Sequence, residues 1–399
     1  MDFDLNNPNT LFMPAVIDDE IINNLTDNTL KRIFVHCALL KVSDVSFQES
    51  RPVMIKKNNL VFPIGKVALQ RATVAKIIGL ISNSREGDDS SYDRVMRGKD
   101  SNFTYTFKIS RPGEKQENVR YRVNCLRDGE NSASIVCRLN NDEIMDLDKI
   151  GLTPEDPIYQ LMFPMKGLNL VTGSVDSGKT TTIMSCLKHF ILHDPRSAFI
   201  NTYENPIEAD LRKIAIQCAA QNKSVFQCPV PQGVPTFQVG VEQSLRRNAD
   251  IILTGEVRTQ SEVMGVVNGV LATGKLIMAT LHTDNIPVTL NRLTRTLKTE
   301  SEGETRSVIY DLISSLNLIV SQKLLTTVDL KRVAVNEYLH FDKATKDRLN
   351  NVEIENISKE IKIIMLEQGN TMVHKAEKLF SDGLITNDVF KDFKESFSY

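Results

Sequence analysis

The stretch Gly167–Phe190, GLNLVTGSVDSGKTTTIMSCLKHF, decides the fold of this 399-residue chain. Within it, Gly173–Thr180 fits the pattern G-x-x-x-x-G-K-[ST], with an apolar run before it and a helix-forming run after it. A strand, a glycine-rich turn and a helix start are what such a loop needs to direct backbone N–H groups at phosphates. The alternative, a turn that contains Gly-Lys-Thr by chance, does not account for this context. The sequence therefore predicts a nucleotide-binding α/β domain.

The loop and the start of the helix supply the expected contacts to ATP. We expect them to come from Gly173, Ser174, Val175, Asp176, Ser177, Gly178, Lys179, Thr180 and Thr181. The Lys179 ammonium is expected to neutralise the β and γ phosphates, and the Thr180 hydroxyl to bind Mg²⁺. Gly173 allows the loop to turn and Gly178 allows the backbone to approach phosphate.

Three further apolar strands end in residues that can act on a bound phosphate: DIILTGE in Glu256, AFINTYE in Glu204 and KLIMATLHT in His282. Ligand sites of open α/β sheets lie at the carboxyl ends of the strands. Glu256 is predicted to reach the Mg²⁺, and Glu204 to orient or deprotonate the attacking water. The alternatives are that Glu256 is only a helix cap and that His282 is only a neighbour of one.

The two halves of the chain differ in pattern. Residues 1–140 contain short alternating segments and helical runs, which predict a small α+β domain with an antiparallel sheet and a first helix capped by Asn28 or Thr29. An acidic segment at 141–157 has the composition of a linker. In 158–399, uninterrupted apolar runs alternate with amphipathic helices, a pattern typical of a parallel sheet covered on both faces, and further helices follow at the end.

Composition limits the possible functions. With 48 Lys plus Arg and 50 Asp plus Glu, the chain has a net charge of -2 and lacks the basic excess of most nucleic-acid binders. Its apolar runs are far shorter than the roughly 18 residues that suggest a membrane span. The beginning of the chain is polar, and the six cysteines form no C-x-x-C pair. These features predict a cytoplasmic protein without a transmembrane segment and make nucleic acid an unlikely direct partner.

Several motifs resemble those of the PilT/secretion superfamily of ATPases. TYENPIE at 202–208 is similar to their T-I-E-D-P-I-E box, RRNADIILTGEVR at 246–258 to their Walker B segment, and TGKLIMATLHT at 273–283 to their histidine box. RYRVN at 120–124 is similar to their R-F-R-V-N strand. Tyr203 and the segment 321–342 are closest to the DotB/TraJ subgroup, the ATPases of type IVB secretion and IncI-type conjugation.

The resemblance implies a PAS-like N-terminal domain, a RecA-like ATPase domain and a homohexameric ring with ATP bound between the domains. It implies that Arg120 and Arg122 reach the phosphates and assist catalysis together with Glu204, Glu256 and His282, whereas Arg138 is open to a purely structural interpretation. It also implies inner-membrane partners from a secretion or conjugation complex and a peripheral location at the inner face of the bacterial inner membrane. The alternatives are pilus retraction, a nucleotide-switched scaffold that does not hydrolyse ATP, and a DNA translocase.

Four positions depart from the family pattern. Asp176 replaces a loop glycine, Asn205 replaces the acid after Glu204, Lys275 replaces the first histidine of the histidine box, and Thr259 replaces an aspartate. The extra charge of Asp176 and the loss of a carboxylate at position 205 predict slow turnover more than a loss of nucleotide binding.

Overall fold

The computed structural model describes residues 22, 24–40, 42–57, 60–82, 90–98, 101–109, 117–140, 143–217, 222–329 and 331–397. The chain divides into two compact units, residues 1–142 and 143–399.

In the first unit, the described helices are α1 (Asp27–Leu39), α2 (Arg71–Ile81) and α3 (Ser90–Met96). Its described strands are β1 (Asp44–Gln48), β2 (Met54–Lys57), β3 (Leu60–Pro63), β4 (Ser101–Ile109), β5 (Glu117–Arg127) and β6 (Ala133–Asn140). They form one antiparallel sheet in the order β3-β2-β1-β6-β5-β4, as predicted for a small α+β domain. The sequence KKNNLV at 56–61 predicts a turn between β2 and β3, and its central residues 58–59 lie outside the described part of the chain.

Aromatic packing holds α1 on this sheet. The Phe34 ring lies 4.6 Å from that of Tyr121 and 5.9 Å from that of Phe47, and the Tyr121 hydroxyl donates to the Phe34 carbonyl at 2.6 Å. The predicted helix cap is wrong by a few residues. Thr26 caps α1, because its hydroxyl accepts from the backbone N–H of Thr29 while the Thr29 hydroxyl accepts from the Thr26 N–H.

The second unit contains a sheet of seven described strands. They are β7 (Gly167–Thr172), β8 (Ala198–Glu204), β9 (Lys223–Pro229), β10 (Ile251–Glu256), β11 (Leu276–Leu281), β12 (Leu316–Thr326) and β13 (Arg332–His340). Their order is β13-β12-β7-β11-β10-β8-β9, and every pair is parallel except β12 with β13. The carboxyl ends of β7, β8, β10 and β11 therefore meet at one edge, as the sequence predicts.

Helices cover both faces of this sheet. The described ones are α4 (Pro157–Met162), α5 (Lys179–His193), α6 (Leu211–Gln217), α7 (Phe237–Arg246), α8 (Gln260–Thr273), α9 (Ile286–Thr296), α10 (Glu302–Ser315), α11 (Lys343–Asn350), α12 (Ile357–Gln368), α13 (Met372–Ser381) and α14 (Asn387–Ser396). One core includes residues of α8, α9, α10 and α12, and a second includes residues of α4, α5 and α6 on the other side. Burial on both sides explains why β7 lacks polar alternation. Among the helices that the structure describes, none combines the length and apolar character needed to cross a bilayer.

The acidic segment predicted as a linker is largely packed. Ile144, Leu147 and Leu152 are buried in the core beside α5, and a short 3₁₀ turn spans Asp148–Ile150. The described acidic residues of this stretch are exposed or half-buried while Ile144, Leu147 and Leu152 are buried. Its composition therefore resembles that of a linker, although most of it forms part of the second unit.

A buried carboxylate on β13 contacts the first residues of two helices, α9 and α13. Glu337 on β13 is fully buried; its Oε1 accepts from the backbone N–H of Ile286 at 2.7 Å, and its Oε2 accepts from that of Met372 at 3.3 Å. These N–H groups belong to the first residues of α9 and α13. Helix N-termini carry partial positive charge, so one carboxylate stabilises both.

Candidate nucleotide-binding and catalytic site

The loop between β7 and α5 is held in a conformation that needs glycine at both ends. Gly173 has φ 151° and Gly178 has φ 85°. A side chain at Gly173 would overlap the Gln322 carbonyl oxygen and the Ser177 hydroxyl, and one at Gly178 would come within 2.8 Å of Gln322 Nε2. Asp176 has φ 60°, a conformation that Asp tolerates better than most residues. The substitution of the usual glycine is therefore compatible with the loop.

Polar groups at the start of α5 are left for an anion. Gly178 is the N-cap and supplies no side-chain hydrogen bond to the first turn, whereas Thr, Asn or Asp side chains cap α7, α8, α9 and α11. Within the described part of the chain, the buried Ser177 hydroxyl has no hydrogen-bond partner. An uncapped helix N-terminus beside a turn with positive φ values is a typical phosphate site.

Lys179 fills the inside of this loop. Its Nζ donates to the carbonyl oxygens of Gly173 at 2.9 Å and Ser174 at 2.7 Å. Burial lowers the pKa of Lys179, while the carboxylates of Glu256, Asp176 and Glu208 act in the opposite direction. The ammonium is thus surrounded by oxygens that γ-phosphate oxygens can replace.

A chain of contacts joins Lys179 to the end of β10. Lys179 Nζ lies 3.3 Å from His282 Nδ1, and His282 Nε2 lies 3.2 Å from Glu256 Oε2. Because an ammonium only donates, Nδ1 must accept, which places the imidazole proton on Nε2, where it is donated to Glu256. The Arg258 guanidinium also pairs with Glu256 Oε2. The predicted residues Lys179, His282 and Glu256 are therefore in direct contact.

Neither Glu256 nor His282 serves as a helix cap. The Thr259 hydroxyl accepts from the Glu262 N–H at 3.3 Å, and the Glu262 carboxylate accepts from the Thr259 N–H at 2.9 Å, which completes a capping box at α8. Asn285 caps α9. Threonine at position 259 thus does the capping work that the family's aspartate can do.

Glu204, at the end of β8, lies in a neighbouring polar network. Its Oε1 accepts from the Thr202 hydroxyl at 2.6 Å and from Gln227 Nε2 at 3.0 Å, and its Oε2 is 3.4 Å from the Glu208 N–H. Burial raises the pKa of Glu204, and these donors oppose the rise. Glu208 connects the two groups, because its carboxylate acts on both Lys179 and Glu204.

Gln322 on β12 was missed by the sequence analysis. Its Oε1 accepts from the Thr182 hydroxyl at 2.7 Å, and its Nε2 donates to the Ser177 carbonyl at 2.7 Å. It therefore holds both the loop and the first turn of α5. The available signal was a polar residue inside the apolar run LNLIVSQKLL, which needs a partner if the strand is buried. Gln227 in the strand KSVFQCP is likewise a polar residue that needs a partner once the strand is buried.

The other predicted residues are more dispersed. Thr180 is half-buried in the first turn of α5, where Thr181 is exposed, and Val175 is exposed on the loop. Arg120 and Arg122 lie on β5 of the first unit. Lys275 precedes β11 and pairs with Asp250 at 2.8 Å, at the edge of the sheet opposite His282.

A family model and several known proteins match this chain. Residues 106–378 match the model described as Type II/IV secretion system protein. The crystal structure of the Legionella pneumophila ATPase DotB is similar with a TM-score of 0.82 and 26% identity, over 93% of this chain and 96% of that one. The crystal structure of the pilus retraction motor PilT with bound ADP is similar with a TM-score of 0.72 and 24% identity, over 90% of this chain and 95% of that one. The Pseudomonas aeruginosa type IV pilus retraction ATPase PilT is 26% identical over 74% of this chain and 78% of its own. These likenesses confirm the predicted fold class, a RecA-like α/β domain with a smaller α+β domain.

Proposed function

Because the chain belongs to the Type II/IV secretion system protein family, we propose that it hydrolyses Mg-ATP as a hexameric motor of a type IVB secretion or conjugation machine. That the chain is an ATPase of this family follows from the match and from its relatives, which are named as ATPases. The proposal adds the Mg²⁺ ion, the hexameric ring and the type of machine that the ring serves.

The observation that carries the proposal is the contact chain Lys179–His282–Glu256 at the mouth of the phosphate loop. Three strand ends contribute to it, and the His282 imidazole lies between the Lys179 ammonium and the Glu256 carboxylate. A phosphate that displaces the loop carbonyls from Lys179 Nζ would bind the Lys179 ammonium, which His282 connects to the Glu256 carboxylate.

The residues at the loop fit Mg-ATP. The uncapped start of α5 and the unpartnered Ser177 hydroxyl suit phosphate oxygens. Thr180 and Glu256 offer the hydroxyl and carboxylate oxygens that Mg²⁺ prefers, so we assign them as the residues that would hold it. When bound, Mg²⁺ supplies positive charge that stabilises the phosphoryl oxygens.

We assign Glu204 as the residue that orients and deprotonates the attacking water. The water oxygen forms a bond to the γ-phosphorus as the bond to the β–γ bridging oxygen breaks, and ADP leaves with that electron pair. The water proton passes to Glu204. Arg120 and Arg122 are proposed to stabilise the phosphoryl oxygens, since a guanidinium is a planar, permanently charged donor.

The test is steady-state ATP hydrolysis by the full-length chain. Lys179→Ala is expected to abolish activity, and Glu204→Gln to lower kcat by about a hundredfold or more with a smaller effect on KM. Lys298→Ala on the exposed surface after α9 and Glu242→Gln on α7 are control variants that are expected to stay active. Activity of Lys179→Ala and Glu204→Gln at the level of these controls would refute the mechanism. Tight ATP binding by the wild type without phosphate release would favour a nucleotide-switched scaffold.

The choice of machine is supported by the likeness to DotB over nearly the whole of both chains. The second candidate is pilus retraction, which the likeness to the Pseudomonas aeruginosa PilT favours. Neighbouring genes separate them, because pilin genes accompany retraction motors whereas conjugation or secretion genes accompany the other class. Native mass measurement with and without ATP tests the ring, and a monomer in both conditions would remove it.

A further inference from the structure

Thr202 and Gln227 hold one oxygen of Glu204 between them. The two residues are register partners on the adjacent strands β8 and β9, and both are buried. Thr202 lies two residues before Glu204, so both side chains project from the same face of β8. Both partners donate to the same carboxylate oxygen, Oε1, at 2.6 and 3.0 Å.

The direction of the Gln227 amide is fixed by its other bonds. Its Oε1 accepts from the backbone N–H of Leu211 at 2.9 Å, and its Nε2 also donates to the Ala209 carbonyl at 2.9 Å. A flipped amide would place a donor against the Leu211 N–H and an acceptor against the Ala209 carbonyl. The NH₂ group of Gln227 therefore faces Glu204.

The second oxygen of Glu204 is held much less tightly. Oε2 has the Glu208 N–H at 3.4 Å, near the upper limit for a hydrogen bond. Oε1 has two short donors, so Oε2 retains the acceptor capacity of the carboxylate. The two oxygens of one side chain are thus made unequal by their surroundings.

The charges around this carboxylate are few. Among the described residues, Glu208 is the charged group that acts on Glu204, and it raises the pKa of that carboxyl, as burial does. Charged side chains on the elements packed against β8 are engaged elsewhere or exposed: Lys223 with the Asp194 carbonyl, Asp250 with Lys275, Glu256 with Arg258 and His282, Glu242 with Gln238, and Arg246 in solvent. The Thr202 and Gln227 donors therefore supply the main stabilisation of the ionised form.

We propose that Thr202 and Gln227 are positioning residues for hydrolysis, which hold Oε1 of Glu204 so that Oε2 is the oxygen that takes the proton of the attacking water. This inference rests on the proposed role of Glu204. Hydrogen bonds to a carboxylate favour its charged form, so loss of the Thr202 hydroxyl should raise the pKa of Glu204. A protonated Glu204 cannot accept the water proton.

The experiment compares Thr202→Val with Thr202→Ser. Valine has the shape of threonine without the hydroxyl, whereas serine keeps the hydroxyl. Single-turnover ATP hydrolysis is measured across pH, because it reports the chemical step. The acidic limb is the part of the pH profile in which the hydrolysis rate falls as the pH is lowered. In Thr202→Val this limb is expected to move to higher pH by about one unit, with the KM for ATP unchanged. Thr202→Ser is expected to restore the wild-type limb. Thr273→Val is the control, because it removes a hydroxyl at the end of α8 that is bonded to the backbone of Gly269 and Lys275 and not to Glu204.

Two further results make the outcome decisive. Gln227→Glu keeps the acceptor for Leu211 but replaces a donor to Glu204 with a second carboxylate, so it should move the limb further in the same direction, and it serves if Thr202→Val does not fold. Identical limbs in the wild type, Thr202→Val and Gln227→Glu, with Glu204→Gln inactive, would overturn this inference alone. Full activity of Glu204→Gln would instead overturn the proposed function.

Discussion

Gln322→Leu is expected to weaken both the fold and nucleotide binding, because Gln322 is the side chain that anchors the phosphate loop. Leucine fills a similar volume but leaves the Thr182 hydroxyl and the Ser177 carbonyl without their 2.7 Å partners. Thr182 and Gln322 are 2% and 3% exposed, so water does not replace those partners. Leaving a buried polar group unsatisfied costs about 1–3 kcal/mol, so we expect a loss of about 3 kcal/mol for the pair.

Thermal denaturation tests this magnitude. In a domain of this size, each kcal/mol shifts Tm by about 2–4 °C, so Tm should fall by about 6–12 °C. Gln243→Leu on the exposed face of α7 is the control for the same change of residue type. A Tm within about 2 °C of the wild type would refute the energetic argument.

The effect on nucleotide is measured in the same assay. Ligand at about 100 times its Kd stabilises a protein by about 2.7 kcal/mol, and at about 10 times by about 1.4 kcal/mol. If the unanchored loop binds ADP about tenfold more weakly, the ADP-induced gain should halve in Gln322→Leu at the same ADP concentration. An undiminished gain would show that Gln322 stabilises the fold without shaping the loop.

Three further predictions concern charged groups. Glu204→Gln should stabilise the protein near neutral pH although it removes hydrolysis. Burial raises the pKa of this carboxyl above its ordinary 4.5, so its ionised form costs folding free energy. In urea denaturation the gain in unfolding free energy should shrink as the pH falls towards about 4.5, and a gain independent of pH would contradict this origin. Asp176→Asn should tighten ATP binding severalfold in a titration, since it removes a negative charge beside Lys179 and keeps a residue type suited to φ 60°, and weaker binding would count against the charge argument. Glu337→Gln should lower the free energy of unfolding by about 1–2 kcal/mol without changing the KM for ATP, and a neutral effect would mean that its charge does not stabilise α9 and α13.

The sequence predicted the central part of the sheet and the residues at its edge. The strands β7, β8, β10 and β11 are uninterrupted apolar runs because both their faces are covered, and that pattern can be read directly. Lys179, Glu204, Glu256 and His282 could be placed because each follows such a run. Parallel strands bring their carboxyl ends together wherever they lie in the chain.

The partners of these residues could not be predicted in the same way. Gln322 meets Ser177 across 145 positions of sequence and Gln227 meets Glu204 across 23, so their roles depend on the order β12-β7 and β8-β9 in the sheet. Local pattern contains no information on which strand becomes a neighbour. The segment 141–157 shows the converse error, because its charges suggested a linker although Ile144, Leu147 and Leu152 within it are buried in the core.

The position of Glu337 sets a lower limit on how far this protein can be shortened. A version that ends before Met372 would lose the N–H group that Oε2 of Glu337 accepts from, together with the α13 and α14 side chains that cover Leu325 and Val335. It would expose apolar surface on β12 and β13 and leave a carboxylate half-paired at the start of α9. We therefore expect any fragment that keeps the second unit folded to include the last two helices.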